Sequence, residues 1–315
     1  MPDAPWYESG PIGWLVWILT SFVGAIWDIG YALLNPGLWL AWLGGLESVE
    51  QKESLMRFVF WGGSTEFLFA VTLLFMVFTA VGIWKRQVLW GGVRALEGFA
   101  NGIGRVAAWA GLLMVLQQIL IVFLQRIFRV SEIAIGPFGL DFTQDLSWYS
   151  EELKLYNAII VCLCVTWTFV QGGHVRVDLV YAAVGHRAKR ALDMFGSVFF
   201  MMPVAMLLWV YSWFFMWRHL LNPPVSASDP LDRMLLKARA LRWSVETIGF
   251  SPNGFNAYFL FKILILLFAA LVFIQAWAFL WRSWLEYVEG EDSVGKYLDR
   301  DVIGDEDAER VAEIH

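Results

Sequence analysis

The chain has 315 residues, of which 58% are hydrophobic and only 17% are charged. Its mean hydropathy is +0.57, and it contains 19 tryptophans, a residue that favours the headgroup level of a bilayer. This composition excludes a soluble globular domain, and with a net charge of −6 we expect no nucleic-acid partner. The chain is therefore predicted to be a membrane protein with several spans.

Six uncharged apolar runs are long enough to cross a bilayer, which takes about 20 residues of helix. They cover residues 9–27, 67–84, 106–125, 155–173, 194–217 and 263–281. A seventh run, 29–46, is interrupted by Asn35-Pro36-Gly37, and proline disfavours a continuous helix. We interpret it as the end of the first helix followed by an interfacial piece. The predicted fold is all-α, a polytopic membrane helical bundle of about six transmembrane helices.

The distribution of charge between the runs predicts an orientation, because Lys and Arg concentrate in cytoplasmic loops. Residues 85–105 and 174–193 are net basic, whereas 28–66 and 126–154 are net acidic. This alternation places both termini in the cytoplasm. One loop disagrees: residues 218–262 are predicted to lie outside, yet they carry more bases than acids.

That outer loop is predicted to contain an amphipathic helix over residues 229–246. Ser228-Asp229-Pro230 is typical of a helix start. Apolar residues then recur at helical spacing, and basic residues lie off that stripe. The apolar stripe consists of Leu231, Met234, Leu235, Ala238, Leu241 and Val245, and the bases are Arg233, Lys237, Arg239 and Arg242. Such a helix either lies in the membrane surface or packs on neighbouring protein loops, and the pattern leaves both open.

The sequence contains no recognisable pattern of catalytic or cofactor-binding residues. None of the four histidines lies deep in a predicted span, and no His, Cys or Glu cluster has metal-ligand spacing. No glycine-rich loop fits a phosphate. Cys162 and Cys164 would face opposite sides of a helix, so they cannot pair. We expect neither an enzyme nor a bound metal or cofactor.

Few polar residues interrupt the predicted spans. The notable ones are Gln117, Gln118, Asn157 and Thr166, and hydrogen bonds between helices account for them. A secondary transporter carries its substrate on midplane polar groups and broken helices. The chain therefore looks like a helical partner of a transport path and not like a complete path.

Two polar stretches mark the ends of the fourth span. Trp148, Glu151 and Glu152 stand at its entry, where the carboxylates either complement the helix dipole, by about 0.3–1 kcal/mol, or contact a base such as Arg126. The hinge that follows, residues 171–181, carries His174, Arg176 and Asp178 between two apolar runs. These side chains suit a turn that meets anionic headgroups.

The hinge also carries a family resemblance. Its segment Gly173-His174-Val175-Arg176-Val177-Asp178-Leu179 resembles the signature of the small membrane subunit of TRAP transporters (tripartite ATP-independent periplasmic transporters), the DctQ-like family. Further stretches fit the pattern in the same order: Gln125-Arg126-Ile127-Phe128, Trp148 with Glu151-Glu152, Arg187-Ala188-Lys189-Arg190, and Gly254, Tyr258, Lys262 and Gln275.

The resemblance divides the chain into three parts. Residues 104–285 form the four-helix DctQ-like unit. Residues 1–103 have no counterpart in the minimal family and form an N-terminal extension with two membrane helices and an amphipathic connector. The connector, residues 85–105, is expected to be broken at Gly91-Gly92, Gly102 and Gly104. Residues 286–315 form an acidic cytoplasmic tail.

The resemblance implies a function in the bacterial inner membrane. It implies a small permease subunit that serves as a scaffold for a large permease subunit, together with a periplasmic substrate-binding protein, in uptake of organic anions driven by an ion gradient, usually sodium. Membrane phospholipids are the other expected partner. The interface candidates are Arg126, Trp148, Glu151, Glu152, His174, Arg176, Asp178, Arg239, Arg242 and Lys262. The alternative is a membrane assembly or lipid-organising protein without a transport role.

Overall fold

The computed structural model describes residues 10–135, 142–171, 184–247 and 253–299. The helices are α1 Pro11–Leu34, α2 Gly37–Leu40, α3 Val49–Gly62, α4 Thr65–Trp84, α5 Arg86–Val122, α6 Leu146–Leu163, α7 Val165–Val170, α8 His186–Gly196, α9 Met202–Arg218, α10 Leu231–Ala238 and α11 Phe259–Glu289. Two short antiparallel strand pairs accompany them: β1 Glu132–Ile135 with β2 Phe142–Asp145, and β3 Leu221–Asn222 with β4 Arg242–Trp243. A π-helical stretch, Phe123–Phe128, extends α5, and another, Ser197–Met201, joins α8 to α9.

Five helices of the described chain are long and apolar enough to cross a membrane. They are α1, α4, α5 with its extension, the joined α8 and α9, and α11. The remaining predicted span, 155–173, is described as far as Gln171, and there it is a broken helix made of α6 and α7 with the break at Cys164. Since α6 begins beside Phe255 and Gln171 follows α7 beside Asp299, this broken helix also runs between the two ends of the bundle. The prediction of an all-α polytopic bundle is confirmed.

The run at 29–46 forms short pieces, as interpreted from its proline. The first helix ends at Leu34, and α2 and the 3₁₀ turn Ala41–Gly44 have four residues each. The indole nitrogen of Trp39 donates to the carbonyl oxygen of Ala32 at 3.0 Å, which folds this piece back on the end of α1. Neither piece is long enough to span a bilayer.

Helix α3 was not predicted, because it lies in the segment 28–66, which we interpreted as a loop between two spans. Its start is a capping box: the Ser48 hydroxyl accepts from the Gln51 backbone at 3.2 Å, and the Gln51 side-chain oxygen accepts from the Ser48 backbone at 3.0 Å. Its buried face, Leu55, Met56 and Val59, packs beside the indoles of α9. This cluster closes one end of the bundle, called here the α3–α10 end.

Helix α5 corrects the prediction of a glycine-broken connector at 85–105. It is a single helix of 37 residues, followed directly by its π-helical extension. Its glycines admit bulky neighbours: a Cβ at Gly92 would lie 2.6 Å from the Phe78 ring, and one at Gly104 would lie 2.2 Å from Trp167 Cβ. Close packing, and not a break in the helix, is therefore what these glycines provide.

Helix α11 is the centre of the bundle, and α5, α6, α8 and α9 pack around it. Its buried face contains small residues, Ala269, Ala276 and Ala278, which let neighbouring helices approach closely. A second core cluster joins this face to the first turns of α5. In contrast, α1 packs against α4 at the periphery, and most of its large apolar side chains are exposed.

The predicted amphipathic helix at 229–246 is less than half its expected length. Helix α10 ends at Ala238, and the chain turns so that Leu221 of β3 pairs with Trp243 of β4. The apolar side chains of Met234, Ala238 and Leu241 are buried against α3. The structure therefore favours a helix packed on neighbouring protein over one whose apolar face lies in the membrane.

Asp229, just before α10, gives a pH-dependent contribution to stability. A hydrogen bond from Lys237 lowers its pKa from the usual 3.8, with Arg233 adding to the effect and burial opposing it. A lowered folded-state pKa means that the contribution is present above pH 3.8 and is lost as the pH falls through the folded value.

We predict that Asp229→Asn abolishes this loss, since its amide does not ionise. The measurement is the free energy of unfolding of the detergent-solubilised chain between about pH 5 and about pH 2. The matched control is Asp232→Asn, an exposed carboxylate three residues later in the first turn of α10, which should keep the wild-type pH dependence. An unchanged pH profile for Asp229→Asn would refute the assignment.

Candidate functional site

The aromatic and acidic entry predicted at 148–152 lies at the α3–α10 end and holds the segment that leads into α11. The Trp148 and Phe255 rings are 5.3 Å apart, and the Glu151 carboxylate accepts from the Phe255 backbone at 3.0 Å. Helix α6 begins at Leu146, so neither carboxylate lies in its first turn. The helix-dipole interpretation is therefore wrong, because that effect fades within one turn.

Glu152 contacts the third predicted span, although not through Arg126. The Gln117 amide nitrogen donates to the Glu152 carboxylate and to the Tyr149 carbonyl oxygen, both at 3.0 Å. The hydrogen bond between helices expected for Gln117 is confirmed. Arg126 is exposed near the end of the π-helical stretch, and no ion pair is seen for it among the residues described.

Lys262 is held inside the fold, at the start of α11. Its ammonium pairs with Glu246 and lies 5.0 Å from the Phe215 ring. His219 lies on the other side of the same carboxylate, with Nε2 3.4 Å from Glu246 Oε2. The three side chains fix the chain after β4 to α9 and α11. Arg239 and Arg242, by comparison, are exposed.

The hinge candidates His174, Arg176 and Asp178 lie outside the described residues. Gln171, the first residue of the hinge, is described, and its side-chain nitrogen donates to the Asp299 carbonyl oxygen at 3.1 Å. Asp299 therefore lies beside the point where α7 leads into the hinge.

The opposite end of the bundle holds a buried ion-pair network that the sequence reading missed. Arg282 of α11 forms a two-pronged pair with Glu97 of α5 and also lies 3.4 Å from Glu286. Arg190 of α8 pairs with Glu286 at 2.7 Å and with Asp193 at 3.1 Å. No side chain in this network is more than 15% exposed.

The network connects three helices that are distant in sequence, α5, α8 and α11. Removing charges from water is costly, so the net contribution of such a pair to stability is small, whereas removing one partner is strongly destabilising. Here each of the three carboxylates contacts a guanidinium, although Arg190 and Arg282 supply only two, and the Trp90 ring lies 5.5 Å from the Arg282 guanidinium. Glu97 belongs to the predicted N-terminal extension, and α5 runs through the predicted boundary at residue 103. The network therefore connects the extension directly to the last helix.

Each member of the network resembled an ordinary solvated charge in the sequence. Glu97 and Arg190 lie in net basic loops, Glu286 opens the predicted acidic tail, and Arg282 lies just before it. One signal was available: Arg282 and Glu286 are four residues apart directly after an apolar run, so a helix continuing past the run would place them together. Helix α11 does continue, to Glu289.

Comparison with known proteins relates part of the chain to a described family. Residues 139–228 match the model of the family described as "Tripartite ATP-independent periplasmic transporters, DctQ component". The chain carries a DctQ domain. No curated protein and no solved structure matches the chain. The domain match and the five helices long and apolar enough to cross a membrane support a multi-pass protein of the inner membrane.

Each of the polar clusters described above includes residues of the DctQ domain. Its matched range includes α6 to α9, Arg190, and the hinge with its signature residues. Glu286 and Arg282 lie beyond it on α11, and Glu97 lies before it. The buried network thus connects the matched domain to the parts of the chain before and after it.

The cysteines and acidic groups of the described residues do not form a metal site. Cys162 and Cys164 are free thiols, and the Cys164 sulfur lies 3.5 Å from the Gly104 carbonyl oxygen. Among the residues described, no group of three or more His, Cys, Asp or Glu could hold a metal ion. The polar clusters of the DctQ domain and of the neighbouring segments connect helices to one another.

Proposed function

We propose that the chain is the small permease subunit of an ion-gradient-driven, binding-protein-dependent TRAP transporter for organic anions. In this role it acts as a scaffold for the large permease subunit. The family match over residues 139–228 is the observation that carries the proposal. The substrate class and the driving gradient rest on the resemblance to TRAP systems.

The distribution of polar and apolar side chains supports a scaffold. The buried charges at both ends of the bundle pair with one another and tie helices together. The outer faces of the spans present large apolar side chains instead, such as Trp109, Leu207 and Tyr211, which are 60–76% exposed. Such faces suit lipid or the helices of a larger membrane subunit.

The proposed orientation places the Glu97–Arg282 end in the cytoplasm with both termini, and the α3–α10 end outside. Trp84, 87% exposed, adjoins Lys85 and Arg86 at the cytoplasmic edge. An aromatic anchor followed by two cations suits anionic phospholipid headgroups. The hinge residues His174, Arg176 and Asp178 would meet lipid or the partner subunit at the same edge.

Purification tests the scaffold role. The tagged chain, extracted from its native membrane in mild detergent without crosslinking, should bring down a large multi-span partner in equal amount. A tagged membrane protein of unrelated function serves as the control. Recovery of the chain alone would exclude the scaffold role and favour the alternative, a lipid-organising protein without a transport role.

The outer face of α10 is the proposed contact for the substrate-binding protein. Arg233, Leu236 and Arg239 recur at intervals of three on this face and are exposed, and Arg242 follows on β4. Exposed cations around an apolar side chain fit a partner with a complementary acidic surface.

We predict that reversing both charges, Arg239→Glu with Arg242→Glu, weakens affinity for the binding protein by about tenfold or more and slows uptake, since opposed charges become like charges. Arg239→Lys with Arg242→Lys is the matched control, because it keeps both positive charges at the same two exposed positions. Equal affinity and uptake for the two double variants would rule out the α10 face as the contact.

A further inference from the structure

Residues 290–299, called here the strap, cross the Glu97–Arg282 end of the bundle. The strap leaves α11 at Gly290, whose φ of 90° and ψ of −170° are accessible essentially to glycine alone. Gly295, at φ 74°, allows a second turn. The backbone of this segment is therefore directed by two glycines across the network and away from the axis of α11.

The strap is anchored on the network itself. The Gly295 backbone nitrogen donates to Glu286 at 3.3 Å, and an Arg282 nitrogen donates to the Lys296 carbonyl oxygen at 3.1 Å. The strap thus satisfies hydrogen-bonding groups of Glu286 and Arg282 and helps to keep water from these side chains. Excluding water strengthens the electrostatic attraction between Arg282 and Glu97.

The far end of the strap is anchored on α5 and on the DctQ domain. Asn101 donates to the Asp299 carbonyl oxygen at 2.9 Å and to its carboxylate at 3.2 Å, and Arg105 pairs with that carboxylate at 3.0 Å. Gln171 donates to the same carbonyl oxygen. The Tyr297 ring lies 5.0 Å from the Arg94 guanidinium and 5.6 Å from the Trp90 ring.

We propose that the strap is a lock that holds α5 of the N-terminal region to α11 and to the end of α7 in the DctQ domain. Three contacts converge on Asp299 from residues more than 100 positions earlier in the chain. No part of the strap belongs to the matched domain, which ends at residue 228. The inference goes beyond the proposed function, because it concerns how the chain closes on itself whether or not it transports.

Hydrogen exchange on the full-length chain in lipid nanodiscs tests the lock. In Gly290→Ala, the added Cβ meets no atom within 4 Å, so only the backbone path is disturbed. We expect amides of residues 293–298 and 98–105 to exchange at least tenfold faster than in the wild type. Gly91→Ala, the same change at an open helical position, should leave both regions unchanged. Faster exchange in the strap alone, or in neither region, would overturn the proposal.

A second variant weakens the far anchor without disturbing the exit from α11. Asp299→Ala removes the carboxylate that Asn101 and Arg105 contact, and it should accelerate exchange at 98–105 while the amide of Gly295 stays protected. Asp292→Ala, which removes an exposed carboxylate from the same segment, is its control. Equal exchange in these two variants would show that Asp299 does not hold α5.

Discussion

The variant Arg282→Ala is expected to lower the free energy of unfolding by about 3–5 kcal/mol, because it leaves buried carboxylates without their partner. Glu97 would lose both of its hydrogen bonds from the guanidinium, and Glu286 would keep only Arg190 and the strap. The Glu97 and Glu286 side chains are 6% and 2% exposed, so water cannot replace the lost partner without opening the bundle.

Denaturant unfolding in mixed micelles measures this loss. The control is Arg105→Ala, whose pair with Asp299 is about half exposed and should contribute less than about 1 kcal/mol. Removing both partners, Arg282→Met with Glu97→Gln, should recover much of the lost stability, since no unpaired charge remains on α5. If Arg282→Ala costs no more than Arg105→Ala, the network does not hold the bundle.

The variant Gly104→Ala is expected to destabilise the protein by about 1–3 kcal/mol through overpacking. A Cβ at this position would lie 2.2 Å from Trp167 Cβ, an atom that cannot rotate away because it is fixed to the backbone of α7. Helices α5 and α7 would have to separate, and the nearby contact of Cys164 with Gly104 would be lost.

Gly102→Ala is the matched control for this prediction. It makes the same change two residues away on the same helix, where nothing lies within 4 Å of the added Cβ. We expect it to be neutral or to stabilise by up to about 1 kcal/mol, as alanine does in a helix. The same unfolding assay compares the two. Similar results for both variants would mean that α5 and α7 do not pack as closely as described.

The features predicted correctly from the sequence are those that depend on local composition. An uncharged run of about 20 residues identifies a span without reference to its neighbours. Pro36 disrupts the helix where it stands, so the short pieces after α1 were predicted as well. The DctQ resemblance was also carried by short segments, and the family match covers several of them.

The features that were missed depend on contacts between distant parts of the chain. Glu97 and Arg282 are 185 residues apart, and nothing local distinguishes a buried charge from a solvated one. The end of α10 at Ala238 follows from the pairing of β4 with β3 and from packing against α3, and neither contact is visible in the local sequence. The glycines of α5 were interpreted as breaks because the aromatic rings facing them could not be placed.

Reconstituted transport tests the central claim most directly. The large permease subunit and the binding protein that copurify or are encoded with the chain would be placed in proteoliposomes under an ion gradient, with and without the chain, and uptake of an organic anion would be followed. We predict uptake only when all three components are present. Equal uptake by the large subunit and the binding protein without this chain would contradict its role as the small permease subunit.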